Sequence, residues 1–108
     1  MLLARLRPGT TAEAFQDVVA RFVGLATTVE GIIGVEFGIN NSPEDLNRGL
    51  THVIVLTFAN APARDTYLRH PEHQKLAVWA VEMGILEELL VFDYVPRPAG
   101  RPGPEAFG

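Results

Sequence analysis

The residues that could carry out acid–base chemistry in this sequence are concentrated between positions 49 and 73. All three histidines and one of the two tyrosines lie there, and they are His52, Tyr67, His70 and His73. A neutral imidazole can take a proton from the carbon next to a carbonyl, and a tyrosine hydroxyl can donate a hydrogen bond to the oxyanion that forms. If the protein has a chemical site, we expect to find it in this stretch.

The same residues can also have purely structural roles. His70 and His73 flank Pro71, which interrupts a helix, and they can bond the backbone groups that such a break leaves free. Tyr67 can pack and hydrogen-bond at the edge of the core. His52 shares a strand face with apolar residues, as a core histidine does. Residue types alone leave the catalytic and the structural interpretations open.

Other classes of site find no support in the sequence. His70 and His73 are three positions apart across a proline, unlike the pair four apart in a helical zinc site, so no metal site is predicted. The sequence has no glycine-rich phosphate loop and no nucleophile elbow, and we predict no cofactor. A net charge of −4, from nine basic and thirteen acidic residues, gives no electrostatic support for nucleic-acid binding.

The composition is that of a globular protein without membrane segments. No apolar run approaches the roughly 20 residues of a membrane span, and residues 1–11 lack the pattern of a signal peptide. The sequence contains no cysteine, which is compatible with a reducing compartment. We therefore expect a cytoplasmic protein that does not associate with membranes.

Apolar runs and turn signals predict the order β-α-β-β-α-β. The four predicted strands are Leu2 to Leu6, Ile32 to Ile39, Thr51 to Phe58 and Leu89 to Val95. Thr10 and Glu13 have the spacing of a capping box at the start of the first helix. The second helical segment begins after Asn60, breaks at His70-Pro71 and resumes to about Met83.

This order is that of the α+β, ferredoxin-like fold with a broken second helix. We assign residues 1–96 to one domain, and residues 97–108 to a Pro/Gly-rich C-terminal tail. In the second strand, alternation predicts Ile33 and Val35 on one face and Ile32 on the other.

Both faces of the third strand are apolar, which bears on the assembly. Its residues at even positions, from His52 to Phe58, point to one face of the sheet. The residues that point to the other face are Thr51, Val53, Val55 and Thr57. Two helical segments can cover only one face of a small sheet, so the other face must pack against something else. A second copy of the same sheet is the natural candidate, and we expect a homodimer.

Several motifs together resemble the Dabb family, the stress-responsive A/B barrel domain proteins. They are Gly38-Ile39-Asn40, Ser42-Pro43-Glu44, Thr51-His52-Val53, Tyr67-Leu68, His70-Pro71-Glu72-His73 and Val91-Phe92-Asp93-Tyr94. The resemblance covers nearly all of residues 1–96. It implies a dimeric α/β barrel built on a ferredoxin-like protomer. The family includes uncharacterised members, plant stress proteins and a few polyketide cyclases.

The resemblance also implies roles for individual residues. Cyclase members carry a Tyr-x-x-His-Pro-x-His segment, which here is Tyr67, His70, Pro71 and His73. By this match Tyr67 and His73 are catalytic, with His73 as base and Tyr67 as oxyanion partner. His52 and His70 would contact the substrate in the same pocket. The first strand departs from the family pattern, because it starts late and lacks the histidine that the family carries near its start.

Three functions are compatible with the sequence and this resemblance. The first is a homodimer with a small-molecule pocket and cyclase-like acid–base chemistry on carbonyl-rich substrates. The second is a non-catalytic stress-protective or ligand-binding dimeric module. The third follows other dimeric α/β barrels, which include cofactor-free and haem-degrading monooxygenases, although no haem-ligating pattern is evident.

Overall fold

Residues 1–100, the part of the chain that the computed structural model describes, form one antiparallel sheet and three helices. The strands are β1 (Leu2–Leu6), β2 (Ile32–Ile39), β3 (His52–Phe58) and β4 (Leu86–Val91), and the helices are α1 (Ala12–Thr28), α2 (Ala61–Arg69) and α3 (Pro71–Met83). The strand order is β2-β3-β1-β4. The predicted α+β, ferredoxin-like fold with a broken second helix is confirmed. None of the three described helices is long and apolar enough to cross a membrane.

The C-terminal tail is only partly within the described chain. Residues 97–100 form neither a helix nor a strand. The rest of the predicted tail, residues 101–108, lies outside the described residues.

Helix α1 begins one residue later than the capping box predicted. Its cap is Thr11, whose Oγ1 accepts a hydrogen bond of 3.1 Å from the amide of Ala14. Thr10 is not available for this role because its hydroxyl donates to the carbonyl of Arg7 and closes the turn after β1. The predicted pairing of Thr10 with Glu13 is therefore wrong.

The break between α2 and α3 follows the sequence prediction. Asn60 caps α2, with its Oδ1 accepting from the amide of Ala63 at 2.9 Å. His70 has an extended backbone, and its Nδ1 accepts from the amide of Glu72 at 3.0 Å. The same histidine thus ends α2 and caps α3, while Pro71 occupies the first turn, where a missing amide costs nothing.

The core lies between the three helices and one face of the sheet. Its buried side chains are Phe15, Val18, Val19, Phe22, Leu25, Val29, Ile32, Ile54, Leu56, Tyr67 and Leu76. Where α1 leads into β2, Gly31 has a φ of +96°, and a Cβ on it would lie 2.6 Å from the Cβ of Ala63 in α2. Glycine is required there by both its backbone conformation and this close approach.

A β-bulge in β2 changes which of its side chains reach the core. Ile32 pairs with Phe58 but Gly34 pairs with Thr57, so Ile33 has no partner of its own. Ile32 is 8% exposed and belongs to the core, whereas Ile33 is 68% exposed. The predicted placement of Ile33 on the face of Val35 is therefore wrong, because simple alternation does not hold across a bulge.

Strand β4 is shifted by three or four residues from its predicted position, Leu89 to Val95. It begins at Leu86, opposite Leu6, and follows β1 antiparallel. Because Glu87 and Glu88 interrupt the apolar pattern of the sequence, the start of β4 was predicted too late. At a sheet edge such carboxylates are tolerated, and both lie within 3.6 Å of the Arg5 guanidinium.

The second face of the sheet has no helix over it within the described chain, and we call it the open face. The pairing of Leu3 with Val53 and Leu90 places these three side chains on it. The apolar side chains that follow one another on the open face are Leu3, Val53, Val55 and Leu90, with Phe92 and Tyr94 beyond the end of β4. Leu90 remains 48% exposed. An apolar sheet face of this kind is expected to be covered by another surface.

Candidate functional site

The helix break brings two of the predicted site residues into contact. Tyr67 lies in the last turns of α2 and His73 in the first turn of α3. Their ring centroids are 4.3 Å apart, with an angle of 51° between the ring planes. The turn at His70 and Pro71 sets this geometry because it folds the start of α3 back against Tyr67.

The imidazole of His73 is held in one tautomer by the end of α2. Its Nδ1 lies 3.2 Å from the carbonyl oxygen of Leu68, which also accepts from Gln74 Nε2 at 3.0 Å. A carbonyl oxygen can only accept, so Nδ1 donates to it, and in the neutral ring Nε2 then keeps its lone pair. His73 is half-buried. This arrangement gives a histidine whose Nε2 can act as a base.

Tyr67 is a buried tyrosine whose hydroxyl can donate a hydrogen bond. It is 5% exposed, and its ring contacts that of Phe58, with centroids 5.2 Å apart, as well as that of His73. Within residues 1–100 no fully buried side-chain oxygen or nitrogen lacks a hydrogen-bond partner. Burial, and secondarily the negative charge of Asp93, raises the pKa of Tyr67 to about 12. At neutral pH its hydroxyl is protonated, as that of any ordinary tyrosine is, and it can donate a hydrogen bond.

Two charged residues lie beside Tyr67 at the edge of a cavity. Arg64 Nη1 is 3.3 Å from Asp93 Oδ2, and Arg64 Nε is 2.9 Å from Asp65 Oδ1. Hydrogen bonding to Asp65, then its charge, raises the pKa of Arg64, and Asp93 adds to this. The cavity has a volume of about 480 Å³ and is lined by residues 55–61, Arg64, residues 92–96 and Met1. We call it the strand-end cavity.

His52 lies at the opposite end of β3 from this cavity. Its ring packs on Phe15 at 4.4 Å, and Thr51 Oγ1 is 2.7 Å from its Nδ1. Burial lowers the pKa of His52, which favours the neutral ring. It lines a second cavity of about 500 Å³ beside the loop of residues 40–50. Six residues of strand, about 20 Å, separate it from Phe58 and the Tyr67 ring, so the structure does not bring it together with Tyr67 and His73.

His70 lies close in sequence to the Tyr67–His73 pair but is occupied by its capping bond. Its Nδ1 accepts from the Glu72 amide, which leaves only Nε2 for other contacts. Roles in substrate binding for His70 and His52 remain predictions.

Asp93 and Arg64, which line the strand-end cavity, were not predicted as site residues, because an edge position explains a lone carboxylate in an apolar strand. Asp93 is the one charged residue in the apolar run from Leu89 to Val95, which was the available signal. Nothing in the sequence distinguishes Arg64 from other helix-surface arginines. Within residues 1–100 no three His, Asp or Glu side chains are grouped to hold a metal ion.

Two curated proteins are similar to this chain over nearly its whole length. The stress-response A/B barrel domain-containing protein HS1 of Arabidopsis thaliana is 30% identical over 96 residues, which is 89% of this chain and 86% of that protein. Olivetolic acid cyclase of Cannabis sativa is 24% identical over 97 residues, which is 90% of this chain and 94% of that enzyme.

Solved structures show the same fold. A crystal structure of an Arabidopsis thaliana protein superposes with a TM-score of 0.83 at 29% identity, covering 93% of this chain and 95% of that one. A protein from Jannaschia sp., described as dimeric and ferredoxin-like, superposes with a TM-score of 0.73 at 22% identity, covering 88% of this chain and 94% of that one. The model of the stress responsive A/B barrel domain matches residues 1–96. The chain belongs to this family, Dabb, as its motifs predicted.

Proposed function

We propose that the protein is a homodimeric Dabb protein whose Tyr67 and His73 perform acid–base chemistry on a carbonyl compound. The observation that supports this most directly is the contact between the two rings, with centroids 4.3 Å apart. A base and a hydrogen-bond donor this close can act on adjacent atoms of one substrate. The similarity to olivetolic acid cyclase, whose name denotes a ring closure, supports the same class of reaction.

The proposed reaction begins with removal of a proton next to a carbonyl. His73 Nε2 accepts this proton, because the Leu68 carbonyl holds the other ring nitrogen protonated. The Tyr67 hydroxyl donates a hydrogen bond to the enolate oxygen as negative charge develops on it. The enolate carbon then forms a bond to a second carbonyl carbon of the same molecule, and the imidazolium of His73 returns the proton to the resulting alkoxide. Atoms and charge balance without a cofactor.

The strand-end cavity adjoins Phe58, which contacts the Tyr67 ring, while neither Tyr67 nor His73 lines it. Its volume of about 480 Å³ is within the range of small-molecule pockets. Phe58 and Arg64 lie in its wall, and Phe58 contacts the Tyr67 ring. Asp93 lies in the same wall and influences the Tyr67 hydroxyl through its charge. We propose that a carbonyl compound reaches the Tyr67 hydroxyl from this cavity.

The homodimer is supported by the open face of the sheet. Leu3, Val53 and Leu90 share that face, and no described helix packs on it. The neighbour from Jannaschia sp. is described as dimeric. We propose that two open faces pack together about a twofold axis, as in an isologous interface.

Proton exchange at an activated carbon tests the chemistry without knowledge of the natural substrate. Acetylacetone in D₂O serves as the substrate, and NMR follows loss of its α-proton signal with and without protein. We expect His73→Gln to reduce the protein-dependent rate by about 10²–10⁴-fold, and Tyr67→Phe by about 10²–10³-fold. Lys75→Gln is the control, because Lys75 is on the exposed side of α3. Equal rates in all four proteins would overturn the proposal.

One observation favours the alternative, a non-catalytic stress-protective or ligand-binding module. The Nδ1 atoms of both His70 and His73 bond backbone groups at the helix break, as a purely structural role requires. This alternative predicts no protein-dependent exchange in the acetylacetone assay. It also predicts that the dimer persists in His73→Gln. The two functions are therefore separated by the same set of variants.

A further inference from the structure

The cavity beside the loop of residues 40–50 is separate from the pair of rings at Tyr67 and His73. We call it the loop cavity, and its volume is about 500 Å³. Neither Tyr67 nor His73 lines it, and it adjoins the start of β3, whereas the strand-end cavity adjoins the end of that strand. A cavity of this volume can hold a small molecule.

The apolar part of the wall comes from the sheet and from the loop. Leu3 and Val53 line the cavity from the open face, and Leu46 and Leu50 line it from the loop. Leu46 is 71% exposed, so the described chain leaves most of this side chain uncovered. The hydrocarbon part of a ligand would gain free energy by covering these side chains.

Hydrogen bonds hold the loop in place around the cavity. At its ends, the amide of Asn40 donates to the carbonyl of Thr51 at 2.8 Å, and the amide of Thr51 donates to the carbonyl of Ala4 at 2.8 Å. Within it, the Leu50 amide donates to the Asn47 carbonyl at 2.9 Å, and Asn47 Nδ2 donates to the Leu50 carbonyl at 2.8 Å. The cavity is therefore formed before a ligand enters, which lowers the cost of binding.

The charge of the loop cavity comes from Arg48. Within the described chain no aspartate or glutamate lines this cavity, and Arg48 forms no ion pair with a described carboxylate. His52 also lines it, but burial lowers the pKa of this ring and favours its neutral form. The strand-end cavity differs, because its Arg64 is paired with Asp93. The loop cavity thus presents an unbalanced positive charge, which is complementary to an anion.

The backbone of the loop is strained where it presents this charge. Arg48 has a φ of +56°, in the left-handed region that residues other than glycine seldom adopt, and Asp45 has the same φ. Such conformations cost free energy and cluster at ligand sites. Neither Asp45 nor Glu44 lines the cavity. The loop therefore keeps a costly conformation that brings its arginine to the wall and leaves these two acidic residues outside it.

We propose that the loop cavity binds an apolar carboxylate, a small molecule with a hydrocarbon chain or ring and one carboxylate group. The carboxylate would accept two parallel hydrogen bonds from the Arg48 guanidinium. The hydrocarbon part would cover Leu46 and pack on Leu50 and Val53. This binding site does not depend on the chemistry proposed for Tyr67 and His73.

Titration of the ¹⁵N-labelled protein with octanoate at neutral pH tests the site. Octylamine is the control ligand, because it has a hydrocarbon chain of the same length and the opposite charge. We expect octanoate at about 1 mM to shift the amide signals of residues 46–51 and to leave those of Tyr67 and His73 in place. Octylamine is expected to bind at least about tenfold more weakly.

Three variants test the role of the guanidinium. Arg48→Gln is expected to weaken octanoate binding by about tenfold or more, because it removes the charged donor. Arg48→Lys keeps the positive charge and should bind octanoate more tightly than Arg48→Gln. Arg69→Gln removes an arginine from the exposed last turn of α2, outside the cavity wall, and should bind like the wild type. Unchanged amide signals of β1 and β3 in each free variant show that the fold is retained.

Several results would overturn the proposal. An absence of octanoate-induced shifts would show that the cavity is closed in solution, by the loop or by a second copy of the chain. Shifts confined to residues away from the loop would place the ligand elsewhere. Equal affinity for octylamine, or an Arg48→Gln variant that binds as the wild type does, would remove the role of the charge. The acetylacetone assay is independent of all these results, so failure of this site and failure of the proposed chemistry are distinguishable.

Discussion

At the scale of single residues, the surroundings of Tyr67 and His73 place a hydroxyl donor beside an imidazole with one engaged nitrogen. The Leu68 carbonyl selects the Nδ1–H tautomer of the neutral His73 ring, and burial with the charge of Asp93 raises the pKa of Tyr67 to about 12. A donor hydroxyl and the free Nε2 of the neutral imidazole are therefore presented together. Either residue alone would have only half of the groups that enolate formation needs.

The protonation of Tyr67 can be measured in a variant with a single tyrosine. The chain has two tyrosines, so in Tyr94→Phe only Tyr67 contributes to the ultraviolet absorbance of tyrosinate. We expect this absorbance to rise with a midpoint of about 12 rather than 10.0. Adding Asp93→Asn should lower the midpoint, because it removes the second cause of the shift. A midpoint at 10.0 in the folded protein would contradict the burial of the hydroxyl.

The same pKa shift makes stability depend on alkaline pH. Tyr67 is raised above its unfolded value of 10.0, so its contribution is fully present below pH 10 and is lost as pH rises towards 12. Urea unfolding of the wild type should therefore show a steeper fall in stability over that window than unfolding of Tyr67→Phe.

Sequence predicted these residues by type but could not predict their contact. Tyr67 and His73 are on different helices, and their distance depends on the angle at His70 and Pro71, which no propensity specifies. For His52 the motif suggested a contact that the structure does not contain. It occupies a family motif position, yet the length of β3 separates it from Tyr67 and His73.

At the scale of elements, one side chain both ends α2 and starts α3. His70 Nδ1 accepts the amide of Glu72, and its extended backbone lets Pro71 open the next helix. Because His73 lies on that first turn, the cap at His70 also positions the proposed base.

Removal of this cap should destabilise the protein measurably. We expect His70→Ala to lower the free energy of unfolding by about 0.5–2 kcal/mol, the usual cost of losing a cap. His70→Asn serves as the matched control, since asparagine is a strong cap and should restore most of the loss. Urea unfolding provides the comparison. If His70→Asn were as destabilised as His70→Ala, a role other than capping would be indicated.

The boundaries of α2 and α3 followed from local chemistry, whereas the start of α1 and two strand features did not. Asn60 and His70 cap these helices and Gly84 ends α3 with a φ of +67°, and each acts within one turn, so their effects are visible in sequence. The bulge at Ile33 and the early start of β4 depend on partners far along the chain. Glu87 and Glu88 looked unlike a strand because their edge position and Arg5 could not be known in advance.

At the scale of the whole molecule, the open face is the surface on which the proposed homodimer depends. Apolar residues on both faces of β3 predicted a sheet covered on both sides, and the described helices cover one. The presence of the open face could thus be predicted from sequence. The location of the strand-end cavity could not, because it depends on how β3, α2 and the segment after β4 lie relative to one another.

A charge placed on the open face should dissociate the proposed dimer. Val53→Lys puts an ammonium group at the centre of that face, and an unpaired buried charge costs several kcal/mol, so the dissociation constant should rise by about a hundredfold or more. Val78→Lys, at an exposed position of α3, is the control and should remain dimeric. Light scattering across a dilution series gives both values. A wild type that is monomeric at micromolar concentration would refute the homodimer.

Gly31 links a connecting turn to the geometry of the proposed site. Any side chain there would meet Ala63 at 2.6 Å, so α2 can keep its place only while position 31 is glycine. Tyr67 lies one turn further along α2, and its distance from His73 depends on that place. Other chains can share the Tyr-x-x-His-Pro-x-His segment. Those with glycine at this turn can place α2 as here and keep the contact between the two rings. Those with another residue there must place α2 differently. A motif search that ignored this distant glycine would group proteins with different site geometries.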